Sequence, residues 1–226
     1  MTSRYITIAG RKGGVGKSSC ALALAAHYHR AGNSVLVVDL DPQGSAGLAL
    51  GASITGDELR SALSGEQPLT PHRVTKGLDI LPGGPALGLC ENPLALRSVL
   101  GGLPHQVIVI DCPPGHAELD RLAIEAADIL LACCECHRMA VAGASRVIDE
   151  AKAISPAPRC ALVLGRFDVR RGLDVAAPEL LAGALNVPVL MIRQDSVLSQ
   201  ALNAGKMPPA HGRAAEDIAK IAAWIG

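Results

Sequence analysis

Tyr5 to Ser19 (YITIAGRKGGVGKSS) confines this chain more than any other stretch: an apolar, β-branched run, a glycine-rich turn, then a lysine and two hydroxyls. Tyr5 to Ala9 reads as a buried strand. Lys17 to Ala31 reads as a helix ended by Gly32-Asn33 and apolar on most of its circumference. Between them, Gly13, Gly14 and Gly16 allow a tight turn that aims successive backbone N–H groups at an anion lying on the helix N-terminus. Lys17 is then in reach of the β- and γ-phosphates of a nucleotide, and the Ser18 hydroxyl in reach of a magnesium ion. A glycine turn alone says little, but strand, Gly-Lys-Ser and helix in this order make Lys12, Gly13, Gly14, Val15, Gly16, Lys17, Ser18 and Ser19 a phosphate cradle.

The rest of the 226 residues alternates strand and helix without repeat or linker, which predicts a single domain over residues 1–226 with a doubly wound, mostly parallel α/β sheet. Hydrophobic residues make up 49% but aromatics only 2%, so the core has to be built from Ala, Val, Leu and Ile. Twenty-one basic residues balance twenty-one acidic ones, which excludes a globally basic nucleic-acid protein and leaves room for a local patch. No apolar run reaches the roughly 18 residues of a membrane span, and Met1 to Arg4 leads straight into the first strand without a secretory leader. The odd number of cysteines, seven, suits reduced thiols and a cytoplasmic setting.

Strands are expected at Ser34 to Asp39, Leu78 to Pro82, Gln106 to Asp111, Asp128 to Cys134, Cys160 to Phe167 and Val187 to Ile192. Helices are expected near Ser45 to Gly51, Asp57 to Gly65, Pro93 to Leu100, Glu118 to Ala127, Met139 to Ile154, Asp174 to Leu185, Ser196 to Ala204 and Arg213 to Trp224. The second strand delivers Asp39 and Asp41 at its C-terminal end, where open parallel sheets bind ligands. Gln106 to Asp111 is continuously apolar and ends in a carboxylate, the form of a strand buried on both faces that presents a magnesium-side acid. Each of Asp39, Asp41 and Asp111 is also placed to cap the helix that follows it. Cys133 to His137 (CCECH) has thiols and an imidazole but no second ligand pair at metal-site spacing. The segment from Gly83 to Leu103 shows no chemistry.

A strict phosphate loop would have glycine at position 11, where this chain has Arg11 followed by Lys12. KGGVGKS, from Lys12 to Ser18, resembles the deviant Walker A motif of the ParA/MinD class of P-loop ATPases. DLDPQG at Asp39 to Gly44 is similar to the DxDPQ of the ParA branch, and DCPPG at Asp111 to Gly115 to the Walker B and switch pattern of the class. The resemblance implies a catalytic set of Lys12, Lys17 and Asp41, with ATP and magnesium as cofactors. Lys12 would reach the nucleotide of a second subunit, Asp41 would position the water, and Ser18, Asp39 and Asp111 would surround the metal. It also implies a homodimer closed over ATP, nonspecific DNA of the nucleoid as a partner, a small adaptor protein that stimulates hydrolysis, and a cargo to be positioned. The neighbourhood of Arg193 to Asp195 would contribute to the adenine pocket.

A MinD-like membrane role would call for a basic amphipathic C-terminal helix, and RAAEDIAKIAAWIG has no polybasic face. A dethiobiotin-synthetase-like ligase and a reductase like the nitrogenase iron protein are the competing readings within the superfamily. For DNA, residues 159–213 hold seven cations (Arg159, Arg166, Arg170, Arg171, Arg193, Lys206, Arg213) against four anions (Asp168, Asp174, Glu179, Asp195), an excess of three. That suffices for phosphate contacts without base readout and is equally compatible with a solvated surface.

Overall fold

A computed structural model describes residues 3–168 and 177–226. Its eight strands form one sheet in the order β3-β4-β2-β5-β1-β6-β7-β8. They are β1 (Arg4–Ala9), β2 (Val35–Asp39), β3 (His72–Thr75), β4 (Leu78–Leu81), β5 (Val107–Asp111), β6 (Ile129–Cys134), β7 (Arg159–Phe167) and β8 (Val189–Arg193). Every neighbouring pair is parallel except β3 with β4.

β1, β2 and β5 are apolar along their length because both faces are covered. In β1, Ile6 and Ile8 join one core while Tyr5 and Ala9 join the other. In β2, Val35 and Val37 separate from Leu36 and Val38 in the same way. Period-two alternation thus divides one hydrophobic run between two cores. On one face lie α1 (Lys17–Arg30) and the helices called here α8 (Ser196–Asn203) and α9 (Arg213–Ile225). The other face carries α3 (Asp57–Leu63), α4 (Leu96–Leu100), α5 (Ala117–Ala126) and α6 (Arg138–Lys152). α2 (Ser45–Ala49) follows β2, and α7 (Ala177–Leu185) precedes β8. No described helix is long and apolar enough to cross a membrane.

Seven strands and most helices fall where the periodicity puts them, within a few residues. β3 is additional. Its HRVT is mostly exposed at the sheet edge, so it lacks the apolar signature of a strand, and its real signal is the Lys76-Gly77 turn, with Gly77 at φ 86°, ahead of the apolar LDIL. The helix expected over Pro93 to Leu100 is confined to Leu96–Leu100, and Pro85–Leu89 forms a 3₁₀ turn. The expected start of α7 at Asp174 lies outside the described residues.

Residues after β4, silent in the sequence, brace the functional edge of the sheet. A Cβ added to Gly83 would stand 2.3 Å from the Asp41 carbonyl and 2.9 Å from that of Asp39. Only glycine lets this loop lie against Asp39 to Asp41. Gly83→Ala should therefore destabilise the protein by roughly 1–3 kcal/mol, as a small-to-large change in a packed site does, measured by urea unfolding.

Candidate functional site

The C-terminal ends of β1, β2 and β5 meet at one point. Register places Asp39 beside Asp111 across β2 and β5, and Ile8 beside Asp111 across β1. The loop leaving β1 turns over them with Gly14 at φ 76° and Gly16 at φ 95°, Gly16 being the N-cap of α1. A Cβ at either position would meet nothing, so glycine is required there for conformation rather than space.

Two lysines leave this loop in opposite senses. Lys17 is buried, and its ammonium donates to the Lys12 carbonyl at 3.2 Å. The Lys12 side chain is 56% exposed and turns outward to Glu135, Nζ to Oε2 2.7 Å. Arg11 is held by Asp120 of α5 at 3.7 Å and by Glu150 of α6. The Pro-Pro-Gly turn lies alongside: a Cβ added to Gly13 would stand 4.0 Å from Pro114, and one added to Gly115 3.8 Å from the Arg11 carbonyl.

Beneath the loop, Asp111 is fully buried, and neither of its oxygens has a hydrogen-bond partner among the described residues. Burial pushes its carboxyl well above the ordinary carboxylate range, the Asp39 charge adds to this, and the facing Ser18 hydroxyl and Lys17 ammonium only partly offset it. Burial likewise raises Asp39 to about 6. Two crowded carboxylates with a hydroxyl opposite are hard oxygen donors, and they fit a magnesium ion that keeps some of its water.

Asp39 and Asp41 divide their work. Asp39 accepts from the backbone N–H of Asp41 (3.0 Å), Ala46 (2.9 Å) and Gly47 (3.0 Å), so it holds the loop into α2 besides facing Asp111. Capping and proximity to the metal-side acid thus coexist in one residue. Asp41 is buried and accepts from Gln43 N–H at 2.9 Å.

A cavity of about 230 Å³ adjoins the loop, bordered by Gly14, Gly16, Cys20, Arg166, Gln194 and Asp195. Arg193 borders it too. Asp195 caps α8 through Val197 N–H at 2.8 Å and ties it to α9 through Ala214 N–H at 2.9 Å.

The described members of the basic cluster read from the sequence differ in their surroundings. Arg193 pairs with Asp217 (2.8 Å) and Glu216 (2.7 Å), which fixes β8 to α9 and removes it from the cations free for DNA. Arg159 stacks on Trp224 at 4.8 Å and donates to the last turn of α9. Arg166 sits at φ 53° with its guanidinium 3.5 Å from the Gly14 carbonyl, beside the phosphate loop. Lys206 and Arg213 are exposed, while Arg170 and Arg171 lie outside the described residues. In CCECH, Cys133 and Cys134 enter opposite cores and cannot share an ion. Three contributors had escaped the sequence reading: Glu135, Asp120 and Gly83. Only the charge of the first two was visible, because their partners come from distant segments.

A family model described as an AAA domain matches residues 3–162. The chain is 32% identical over 225 residues to the chromosome partitioning protein ParA of Myxococcus xanthus, covering 90% of this chain and 80% of that one. The chain belongs to the ParA family. The corresponding ParA of Caulobacter vibrioides is 31% identical over 193 residues, covering 76% of this chain and 72% of its own length. Among solved structures, apo McdA from Cyanthece superposes with a TM-score of 0.84 at 20% identity, covering 97% and 99% of the two chains. MinD from Pyrococcus horikoshii, complexed with Mg-ADP, gives 0.79 at 22% identity over 99% and 96%. The fold is thus that of the P-loop ATPases of the ParA/MinD class, and the chain is an ATPase of that class.

Asp120 offers a test of the site's electrostatics. It is 5% exposed, and burial raises it to about 6 although Arg11 pulls downward. A raised folded pKa means the ionised form is disfavoured by folding, so stability is lost as pH rises from about 4 through 6 and stays lost above. Asp120→Asn should therefore stabilise the protein by on the order of 1–3 kcal/mol at pH 8, and by about half as much at pH 5, in denaturant titrations at both pH values.

Proposed function

We propose that residues 1–226 form a ParA-type ATPase domain that binds ATP and magnesium, closes as a homodimer over two nucleotides, and turns over slowly until a partner protein stimulates it. The observation that carries this is the opposed pair of lysines: Lys17 is turned into its own site while Lys12 stands exposed on the loop's outer side. A cation outside its own cradle suits a charge supplied in trans, as an arginine finger is.

Backbone N–H groups of Gly13 to Ser19 and the Lys17 ammonium would hold the phosphates. Ser18 and Asp111 would hold magnesium, with Asp39 adding charge and fixing the loop. Magnesium, when bound, neutralises charge on the β- and γ-phosphate oxygens. Asp41 orients the attacking water and accepts its proton. The partner subunit's lysine offsets charge developing on the transferred phosphoryl group, and the Pro113-Pro114-Gly115 turn, touching Arg11 and Gly13, relays loss of the γ-phosphate to α5.

The wider reading is a cytoplasmic, nucleoid-associated protein that positions or segregates a cargo and answers to a small adaptor. Its ATP dimer would contact DNA phosphates through Arg166, Lys206 and Arg213, with Arg170 and Arg171. Such binding needs ATP and falls steeply with salt.

Three substitutions test the mechanism by nucleotide binding, light scattering and phosphate release. Lys17→Ala should lose ATP binding. Lys12→Ala should bind ATP as a monomer and hydrolyse it roughly 10²-fold more slowly or worse. Asp41→Ala should accumulate ATP dimers with hydrolysis reduced by roughly 10²-fold. Dimers and normal turnover in the Lys12 variant would overturn the trans assignment.

A further inference from the structure

Glu135 lies at the end of β6, immediately across from the phosphate loop, and it receives the lysine on which the proposed dimer depends. Lys12 Nζ stands 2.7 Å from Glu135 Oε2, and His137 Nε2 stands 3.5 Å from the same oxygen. The hydrogen bond from Lys12 lowers the Glu135 carboxyl below its ordinary range, and Lys12, His137 and Arg166 add to this through their charges. Glu135 is therefore ionised and surrounded by three cationic or protonatable side chains. Its other neighbours remain when Lys12 departs, so release does not strand the carboxylate.

The loop is built so that only this one side chain can move. Arg11 is fixed to α5 and α6, and the Lys12 carbonyl is engaged by Lys17. The backbone of residue 12 thus stays with its own site while its side chain, more than half exposed, can swing. A lysine cannot bond Glu135 of its own chain and a phosphate of a facing chain at once. The two contacts are mutually exclusive.

We propose that Glu135 is a positioning residue that parks Lys12 in cis and so sets the ATP concentration and protein concentration at which two subunits close. The latch rests on the dimer reading above, and it adds a residue and a threshold to it. An exposed ion pair of this kind alters the availability of one lysine about 1.4- to 5-fold. Two lysines are released per dimer, so the effect on the dimerisation constant is the square, roughly 2- to 30-fold.

The test is sedimentation equilibrium in ATP and magnesium on full-length Glu135→Gln, which keeps the side chain's shape and removes its charge. The expected result is a dimer dissociation constant lower than wild type by roughly 2- to 30-fold, with the affinity of the monomer for a fluorescent ATP analogue unchanged. The readout that a merely structural role would not move is ionic strength: salt screens the cis ion pair, so the gap between wild type and Glu135→Gln should narrow as salt is raised, and a gap independent of salt overturns the latch. If wild type dimerises on ATP and Glu135→Gln dimerises equally or more weakly, the latch is wrong and the dimer reading stands. If wild type does not dimerise at any ATP concentration, the dimer reading itself fails.

Discussion

Two carboxylates forced together at the end of a parallel sheet are the constraint on which the rest of the site depends. β2 and β5 put Asp39 and Asp111 at the same level, and the apolar flanks that stabilise these strands also strip the carboxylates of water. Asp39 escapes part of the penalty by accepting three backbone N–H groups; Asp111 has no such relief. The folded chain therefore stores an electrostatic demand for positive charge at one point. Lys17 meets part of it, and the remainder is what makes the pair a fit for a divalent ion.

That demand explains the division between the two lysines. A second ammonium beside Lys17 would also lower the energy of the carboxylates, yet Lys12 is directed away. The cause is local geometry: the left-handed turn at Gly14 and Gly16 and the clamp on Arg11 fix the direction in which residue 12 leaves the loop. Helix α5 takes part through Asp120, so the residue that replaces the expected glycine at position 11 is a strut between the loop and two helices.

Most of the fold was legible because it rests on local signals. Continuous apolar runs ending in aspartate marked the buried parallel strands, and the glycine, lysine and serine spacing marked the loop. β3 was missed since an exposed edge strand carries no apolar pattern, and the edge position is known only once the sheet is assembled. The candidate site residues could be read for the same reason as the strands: they sit within a few residues of a strand end. Glu135, Asp120 and Gly83 could not, because each acts on a residue more than 40 positions away. Gly83 illustrates this best. Its lack of a side chain looks like ordinary loop composition until the carbonyl of Asp41 is seen at the distance a Cβ would need.

Charge counting along the sequence does not register how each cation is held. An excess of three cations over residues 159–213 treats every arginine as solvated, whereas Arg193 is bound to two carboxylates of α9 and Arg159 lies over Trp224. Both are long, amphipathic side chains at sheet ends, where a guanidinium can join a strand to a helix by pairing and stacking at once. Among the described cations of that stretch, Arg159, Arg166, Lys206 and Arg213 are exposed residues, with Arg166 at the phosphate loop and Arg213 at the start of α9. Arg166 donates to the Gly14 carbonyl at 3.5 Å, so this exposed guanidinium is tied to the arrangement of the phosphate loop.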